Sequence, residues 1–165
     1  MRSIKQIRKL FFLSLILFLL PEKAFASYYS VSEDLMTDRK KIYIEEISIN
    51  DVRNSIGMPE KAKLIIRCNG DDVDAFISTT TYNANNTQVG LRWSGGTPLK
   101  TRWSESTSGT ALFSPSPEEF IRQLLKNESL VFQWKPYSKI AKAAKFNLKE
   151  LKLNIEKGRD DGCNF

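Results

Sequence analysis

The stretch that decides the fold is Ala62-Lys63-Leu64-Ile65-Ile66-Arg67-Cys68-Asn69-Gly70-Asp71-Asp72-Val73-Asp74-Ala75-Phe76-Ile77-Ser78. Its first seven residues are largely apolar and include two β-branched isoleucines, which is typical of a strand. Asn69-Gly70 strongly favours a tight turn between two strands. Apolar residues return over positions 73–78, so the sequence predicts an antiparallel hairpin here.

Short segments on both sides of this hairpin have the same strand character. Residues 41–47 carry isoleucine and tyrosine in partial alternation. Further strands are predicted after the hairpin, separated by turns rich in glycine, proline, serine and asparagine, at residues 88–93, 99–103, 110–113, 130–134 and 143–146. Strands joined by such short turns pair antiparallel.

Two segments have apolar residues at helical spacing instead. The first is predicted to begin with Ser116 as its N-cap and Pro117 at the first helical position. The second is predicted to begin after Asn147 and to end at Gly158. The sum is a mainly β (α+β) protein, a small antiparallel β-sandwich or open barrel with two short helices.

The N-terminus has the order of a secretory signal. Basic residues are followed by an apolar run over residues 10–20, then Pro21 and the small-x-small triplet Ala24-Phe25-Ala26. The run is shorter than the roughly 20 apolar residues of a spanning helix. We therefore predict a signal peptide over residues 1–26, no transmembrane anchor after its cleavage, and a periplasmic or secreted protein. The mature part is predicted to have a loosely ordered lead-in at 27–40 and a single β-rich domain at 41–165.

Removing the signal changes the charge of the protein. The whole chain has 25 basic and 19 acidic residues, a net charge of +6. The signal holds five of the basic residues and one of the acidic residues, which leaves 20 against 18. A net charge of +2 does not indicate nucleic-acid binding, which needs a concentrated basic face.

The chain has two cysteines, Cys68 and Cys163. In an oxidising compartment an isolated pair most simply forms a disulfide. The alternative is a redox-active pair, but the chain has no C-x-x-C motif. The interpretation favoured is a structural bond that closes a loop of about 95 residues.

The composition argues against several kinds of catalytic site. The chain has no histidine, which excludes Ser-His and Cys-His nucleophiles and histidine-ligated zinc. Asp71, Asp72 and Asp74 invite a calcium hypothesis, but their spacing lacks the twelve-residue loop with its terminal glutamate. We expect a solvated acidic loop there, and no metal, cofactor or catalytic residue in the protein as a whole.

Arg92-Trp93 and Arg102-Trp103 repeat one basic-aromatic dipeptide in two predicted strands. Neighbours in a strand point to opposite faces. If both tryptophans point inward, Arg92 and Arg102 share the outer face, where they would bind a carboxylate or phosphate of a partner. The alternative is an ordinary amphipathic pair of strands with a tryptophan core.

The order of several motifs resembles one known family. The residues that carry the likeness are Leu64-Ile65-Ile66-Arg67-Cys68, Arg92-Trp93, Arg102-Trp103-Ser104, residues 111–122, Leu130-Val131-Phe132, Pro136-Tyr137, Phe146-Asn147-Leu148 and Cys163. In this order, over residues 41–163, they resemble the VasI/TagO-like family of small periplasmic proteins associated with type VI secretion. The resemblance implies that Cys68 pairs with Cys163, and it supplies no catalytic residue.

Two hypotheses for the function follow. The first is an exported, non-enzymatic periplasmic accessory or binding protein with a protein partner in the cell envelope, associated with type VI secretion. The second is a secreted inhibitor or ligand-binding module that acts on an envelope or host protein through Arg92 and Arg102.

Overall fold

The computed structural model describes residues 27–137 and 140–165. The predicted signal peptide, residues 1–26, lies outside the described residues. Within them the chain forms nine strands and two helices, in the order β1 (Ser27–Asp34), β2 (Arg39–Arg53), β3 (Pro59–Asn69), β4 (Asp72–Ser78), β5 (Thr87–Trp93), β6 (Leu99–Glu105), β7 (Ala111–Phe113), α1 (Pro117–Lys126), β8 (Ser129–Trp134), β9 (Lys142–Asn147) and α2 (Lys149–Asp160). The prediction of a mainly β protein with two short helices is confirmed.

The predicted central hairpin is formed by β3 and β4. The two strands pair antiparallel from Lys63 opposite Ser78 to Asn69 opposite Asp72. Gly70 has a φ of 65° in the turn, a conformation that glycine adopts without steric cost. This turn could be predicted from the sequence because its conformation depends on residues that are neighbours in the chain.

The lead-in at 27–40 was wrongly predicted to be loosely ordered. Residues 27–34 form strand β1, which pairs along its whole length with β2, from Ser27 opposite Glu46 to Asp34 opposite Arg39. The strand lies at the edge of the sheet, and each of its residues is exposed or half-buried, which fits its polar composition. Tyr29 ties it to the C-terminal segment by donating a hydrogen bond of 2.5 Å to the Asp161 carboxylate.

All nine strands belong to one antiparallel sheet with the order β1-β2-β3-β4-β7-β6-β5-β8-β9. β6 joins its two halves, since residues 99–103 of this strand pair with β5 and residues 104–105 pair with β7. The sheet is open but strongly curved, so that β2 also packs beside β9.

The concave side of the sheet and the two helices enclose the main core. Its largest fully buried side chains include Trp103, Phe132, Trp134 and Phe146 from the strands. Phe120 of α1 meets Trp103 edge to face, with 5.0 Å between the ring centroids. The two helices therefore shield the inward-facing apolar side chains of the strands from solvent.

The ends of both helices differ from the prediction. Ser116 precedes α1, but its side chain makes no capping hydrogen bond. Gly158 does not end α2, which continues to Asp160, and Gly158 is instead buried inside the helix. The absence of a side chain at Gly158 lets the helix approach Ile42 and Ile44 of β2.

The disulfide between Cys68 and Cys163 is present, as predicted. It joins the end of β3 to the segment that follows α2. Both cysteines are buried. The bond thereby holds the C-terminal helix against the first half of the sheet.

Candidate functional site

Arg92 and Arg102 lie on the convex outer face of the second half of the sheet, and both are exposed. Trp103 points inward and is buried, while Trp93 is half-buried and packs 5.6 Å from the ring of Phe120. The alternation of the two strands thus separates the cationic side chains from the aromatic ones.

The two arginines do not form one compact pocket. Arg102 is opposite Gln88 in the β5–β6 pair, and Arg92 is four residues further along β5. At about 3.4 Å per residue, the backbones of the two arginines are separated by roughly 14 Å along the strands. Lys100, which is opposite Gly90, lies between them on the same face.

Three lysines that the sequence interpretation did not include complete this surface. Lys100 lies on β6, Lys145 on β9 is opposite Val131, and Lys135 follows β8 directly. All three are exposed. We call Arg92, Lys100, Arg102, Lys135 and Lys145 the basic face.

The alternation Lys100-x-Arg102 within one strand was a signal that could have identified one of these lysines. Lys135 and Lys145 could not be placed without the register of β8 and β9.

The basic face is unneutralised among the described residues. Eight ion pairs occur elsewhere in this part of the chain, and none includes a residue of the basic face. The outward positions of β5, β6, β8 and β9 hold glycine, glutamine, serine, valine, alanine and asparagine besides the cations, and no carboxylate. Arg102 is oriented by a hydrogen bond from Nη1 to the carbonyl oxygen of Asn86, 3.1 Å long.

An apolar groove of about 450 Å³ lies on the inner side of the same part of the sheet. It runs between α1 and the strands β5 and β6, and Trp93, Leu99 and Phe120 are among its lining residues. Leu99 is 56 % exposed. Because neighbours in a strand point to opposite faces, the groove and the basic face lie on opposite sides of β5 and β6, and of the five basic-face residues Lys100 also lines the groove.

A more polar cleft of about 470 Å³ lies on the outer face of the first half of the sheet. Its lining holds two cations and two carboxylates, Lys41, Arg67, Asp72 and Asp74. Arg67 binds the Asp74 carboxylate at 2.7 Å, and its guanidinium lies 4.8 Å from the centre of the Phe76 ring. This cleft is therefore less suited than the basic face to attract a charged partner.

The acidic loop shows no arrangement of a metal site. Asp74, one of its three carboxylates, is bound to Arg67. No group of three possible ligands that could hold a metal ion is found among the residues that the structure describes. In the same part of the chain, no helix has the length and apolar character needed to cross a membrane.

Comparison with known proteins gives a fold and no family. No protein-family model matches the chain, and no curated protein matches it either. Among solved structures, the chain is similar to invasion associated protein B from Bartonella henselae, with a TM-score of 0.50 and 10 % identity. The likeness covers 78 % of this chain and 90 % of that one. At this identity the comparison establishes a shared fold alone.

Proposed function

We propose that the protein is an exported, non-enzymatic binding protein of the cell envelope, and that its basic face docks an acidic surface of a protein partner. The observation that carries the proposal is the basic face itself, five exposed cations without a carboxylate among them. Positive charges on one face repel one another, and the binding of an acidic partner relieves this repulsion. The same charges attract an acidic partner at a distance and so raise its association rate.

The extent of the basic face supports a protein as the partner. Arg92 and Arg102 are separated by roughly 14 Å along the strands, so a free phosphate or a short glycan would reach only part of the face. An acidic protein surface can contact all five cations at once.

Export and the non-enzymatic role rest on separate observations. The basic, apolar and small-residue order of residues 1–26 and the Cys68–Cys163 bond support export to an oxidising compartment. The lack of histidine, and the use of both cysteines in the disulfide, support a role in binding. The association with type VI secretion stays a prediction from the resemblance, and a gene neighbourhood without secretion components would contradict it.

The test is site-specific photocrosslinking in exporting cells. A benzoylphenylalanine placed at Gln133, which is exposed at the centre of the basic face, should give a defined crosslinked product. The double variant Arg92→Glu with Arg102→Glu should lose this product. The control Arg122→Glu with Lys149→Glu makes the same change of charge away from the face and should keep it.

The outcomes separate the partner classes. A crosslinked protein with an acidic surface supports the proposal. The proposal is wrong if the product persists in the Arg92→Glu, Arg102→Glu variant. It is also wrong if no protein is crosslinked while the purified wild type sediments with anionic lipid vesicles and the double variant does not. A crosslinked product that forms only when a host extract is added would favour the second hypothesis, a secreted inhibitor or ligand-binding module.

A further inference from the structure

Glu46 is a buried carboxylate with an incomplete set of partners. It points into the core from β2, in line with Ile42 and Ile44, and is only 1 % exposed. Its Oε2 accepts no hydrogen bond from any residue that the structure describes. An unpaired buried charge is strongly destabilising, so this position requires either a proton or a cation.

The groups around Glu46 supply no cation among the described residues. Burial, and secondarily the carboxylate of Glu150 on α2, raise the pKa of Glu46 to about 7, against a lowering by the Ser27 side chain. Two lysines of the adjoining elements, Lys63 of β3 and Lys152 of α2, are engaged elsewhere, since Lys63 binds Glu45 at 3.0 Å and Lys152 binds Glu128. A positive charge beside Glu46 would offset the cost of burying its carboxylate.

Ser27 is the residue opposite Glu46 in the β1–β2 pair. Its hydroxyl donates a hydrogen bond of 3.2 Å to the carbonyl oxygen of Glu45 and accepts one of 2.8 Å from Nδ2 of Asn154. These two bonds link the start of β1 to both β2 and α2. Residues directly opposite in an antiparallel pair have their Cα atoms about 5 Å apart.

The Ala26–Ser27 bond is also the bond at which the sequence predicts signal cleavage. Hydrolysis of this bond by water leaves a carboxylate on Ala26 and an amine on Ser27. The amine takes up a proton to become an ammonium at neutral pH, because its ordinary pKa is about 7.7–8.0.

We propose that cleavage after Ala26 creates the missing cation, and that the α-ammonium of Ser27 forms a buried ion pair with the Glu46 carboxylate. Processing then completes the core of the mature protein. The inference shares only the export step with the proposed function and does not depend on the basic face. Crosslinking at Gln133 is expected to be the same in wild type and in Glu46→Gln.

The experiment uses the mature protein isolated from exporting cells. Intact-mass measurement should show Ser27 as the first residue. Acetylation of the α-amine by acetic anhydride at pH 8, followed by peptide mass spectrometry, should be about tenfold slower in wild type than in Glu46→Gln, because an ion pair raises the pKa of the amine. Glu45→Gln, which changes the neighbouring carboxylate on the other face, should acetylate as slowly as wild type.

A second variant tests the proposal even if Glu46→Gln fails to fold. Two glycines inserted between Ala26 and Ser27 displace the amine and leave every described side chain unchanged. Its amine should acetylate at the faster rate, and its midpoint of thermal unfolding at pH 7.5 should be lower than in wild type. A mature protein that begins elsewhere than at Ser27, or equal acetylation rates in wild type and the glycine variant, would overturn the proposal.

Discussion

The side chain of Asn50 in β2 donates a hydrogen bond from Nδ2 to the carbonyl oxygen of Ala143 in β9, 2.9 Å long. Its Oδ1 accepts a second bond, of 2.7 Å, from the backbone N–H of Lys145. A register shift between Ile47 and Asp51 removes Asn50 from the ladder with β3. The side-chain amide of Asn50 thus bridges β2 and β9 by hydrogen bonds at the point where the curved sheet brings these strands together.

Asn50→Ala is therefore expected to destabilise the protein by about 1–2 kcal/mol, since each lost hydrogen bond contributes about 1 kcal/mol. Urea unfolding followed by tryptophan fluorescence measures the change. Gln133→Ala is the matched control, because this exposed amide makes no side-chain hydrogen bond within the described part of the chain, and it should change stability by less than about 0.5 kcal/mol. Equal effects of the two substitutions would contradict the bridging role of Asn50.

Loss of the disulfide is expected to destabilise the fold more than any single hydrogen bond. The bond closes a loop with a sequence separation of 95 residues, for which the chain-entropy model predicts about 4.7 kcal/mol. The double variant Cys68→Ala with Cys163→Ala should show this loss in urea unfolding. Wild type measured with reductant should give nearly the same curve. A loss below about 1 kcal/mol in both would show that other contacts hold α2 in place.

The burial of Glu46 predicts a dependence of stability on pH in any chain with residues attached before Ser27. The pKa of Glu46 is raised to about 7 in the folded state, whereas in the unfolded state it is about 4.3. The folded state then binds the proton more tightly. Its contribution is fully present below the unfolded pKa and is lost as the pH rises through 7.

The variant with two inserted glycines should therefore lose about 2.5 kcal/mol of unfolding free energy between pH 5 and pH 8. Urea unfolding at pH 5, 6, 7 and 8 measures this slope. With Glu46→Gln in the same background the slope should vanish. Asp34 does not interfere, because its bonds to Lys41 and to the Met36 N–H lower its pKa to about 2. A slope unchanged by Glu46→Gln would assign the pH dependence to another group.

Gly158 is expected to tolerate no large side chain. A Cβ at this position would lie 3.1 Å from Cζ of Phe165 and 3.5 Å from Cδ1 of Ile44. Gly158→Leu should destabilise by about 1–3 kcal/mol through overpacking, which exceeds the gain of about 1 kcal/mol in helix propensity. Thermal unfolding measures the net change in stability. Glu156→Leu on the exposed side of α2 is the control, and an equal effect there would refute the packing argument.

Local patterns predicted those elements whose contacts are near in the chain. Asn69-Gly70 predicted the hairpin of β3 and β4, and helical spacing around Phe120 predicted α1. Two cysteines in a chain predicted to be exported were sufficient to predict their bond. Patterns failed for β1, whose polar residues 27–34 are ordered by the ladder with β2 and by contacts with α2 more than 120 residues away.

The candidate site was predicted in part for the same reason. Alternation of side chains in single strands placed Arg92 and Arg102 on one face. It did not place Lys145 beside them, because β5 and β9 are brought together only through β8.

The sequence by itself determined the strand and helix character of most segments, the hairpin and the chemistry of the cysteine pair. These depend on propensities and spacings within a few residues. Only the tertiary structure decided that five cations share one face, that Asn50 bridges β2 and β9, and that Glu46 lies buried opposite Ser27. Those relations depend on how distant segments pair and pack, and no local pattern encodes the register of strands separated by tens of residues.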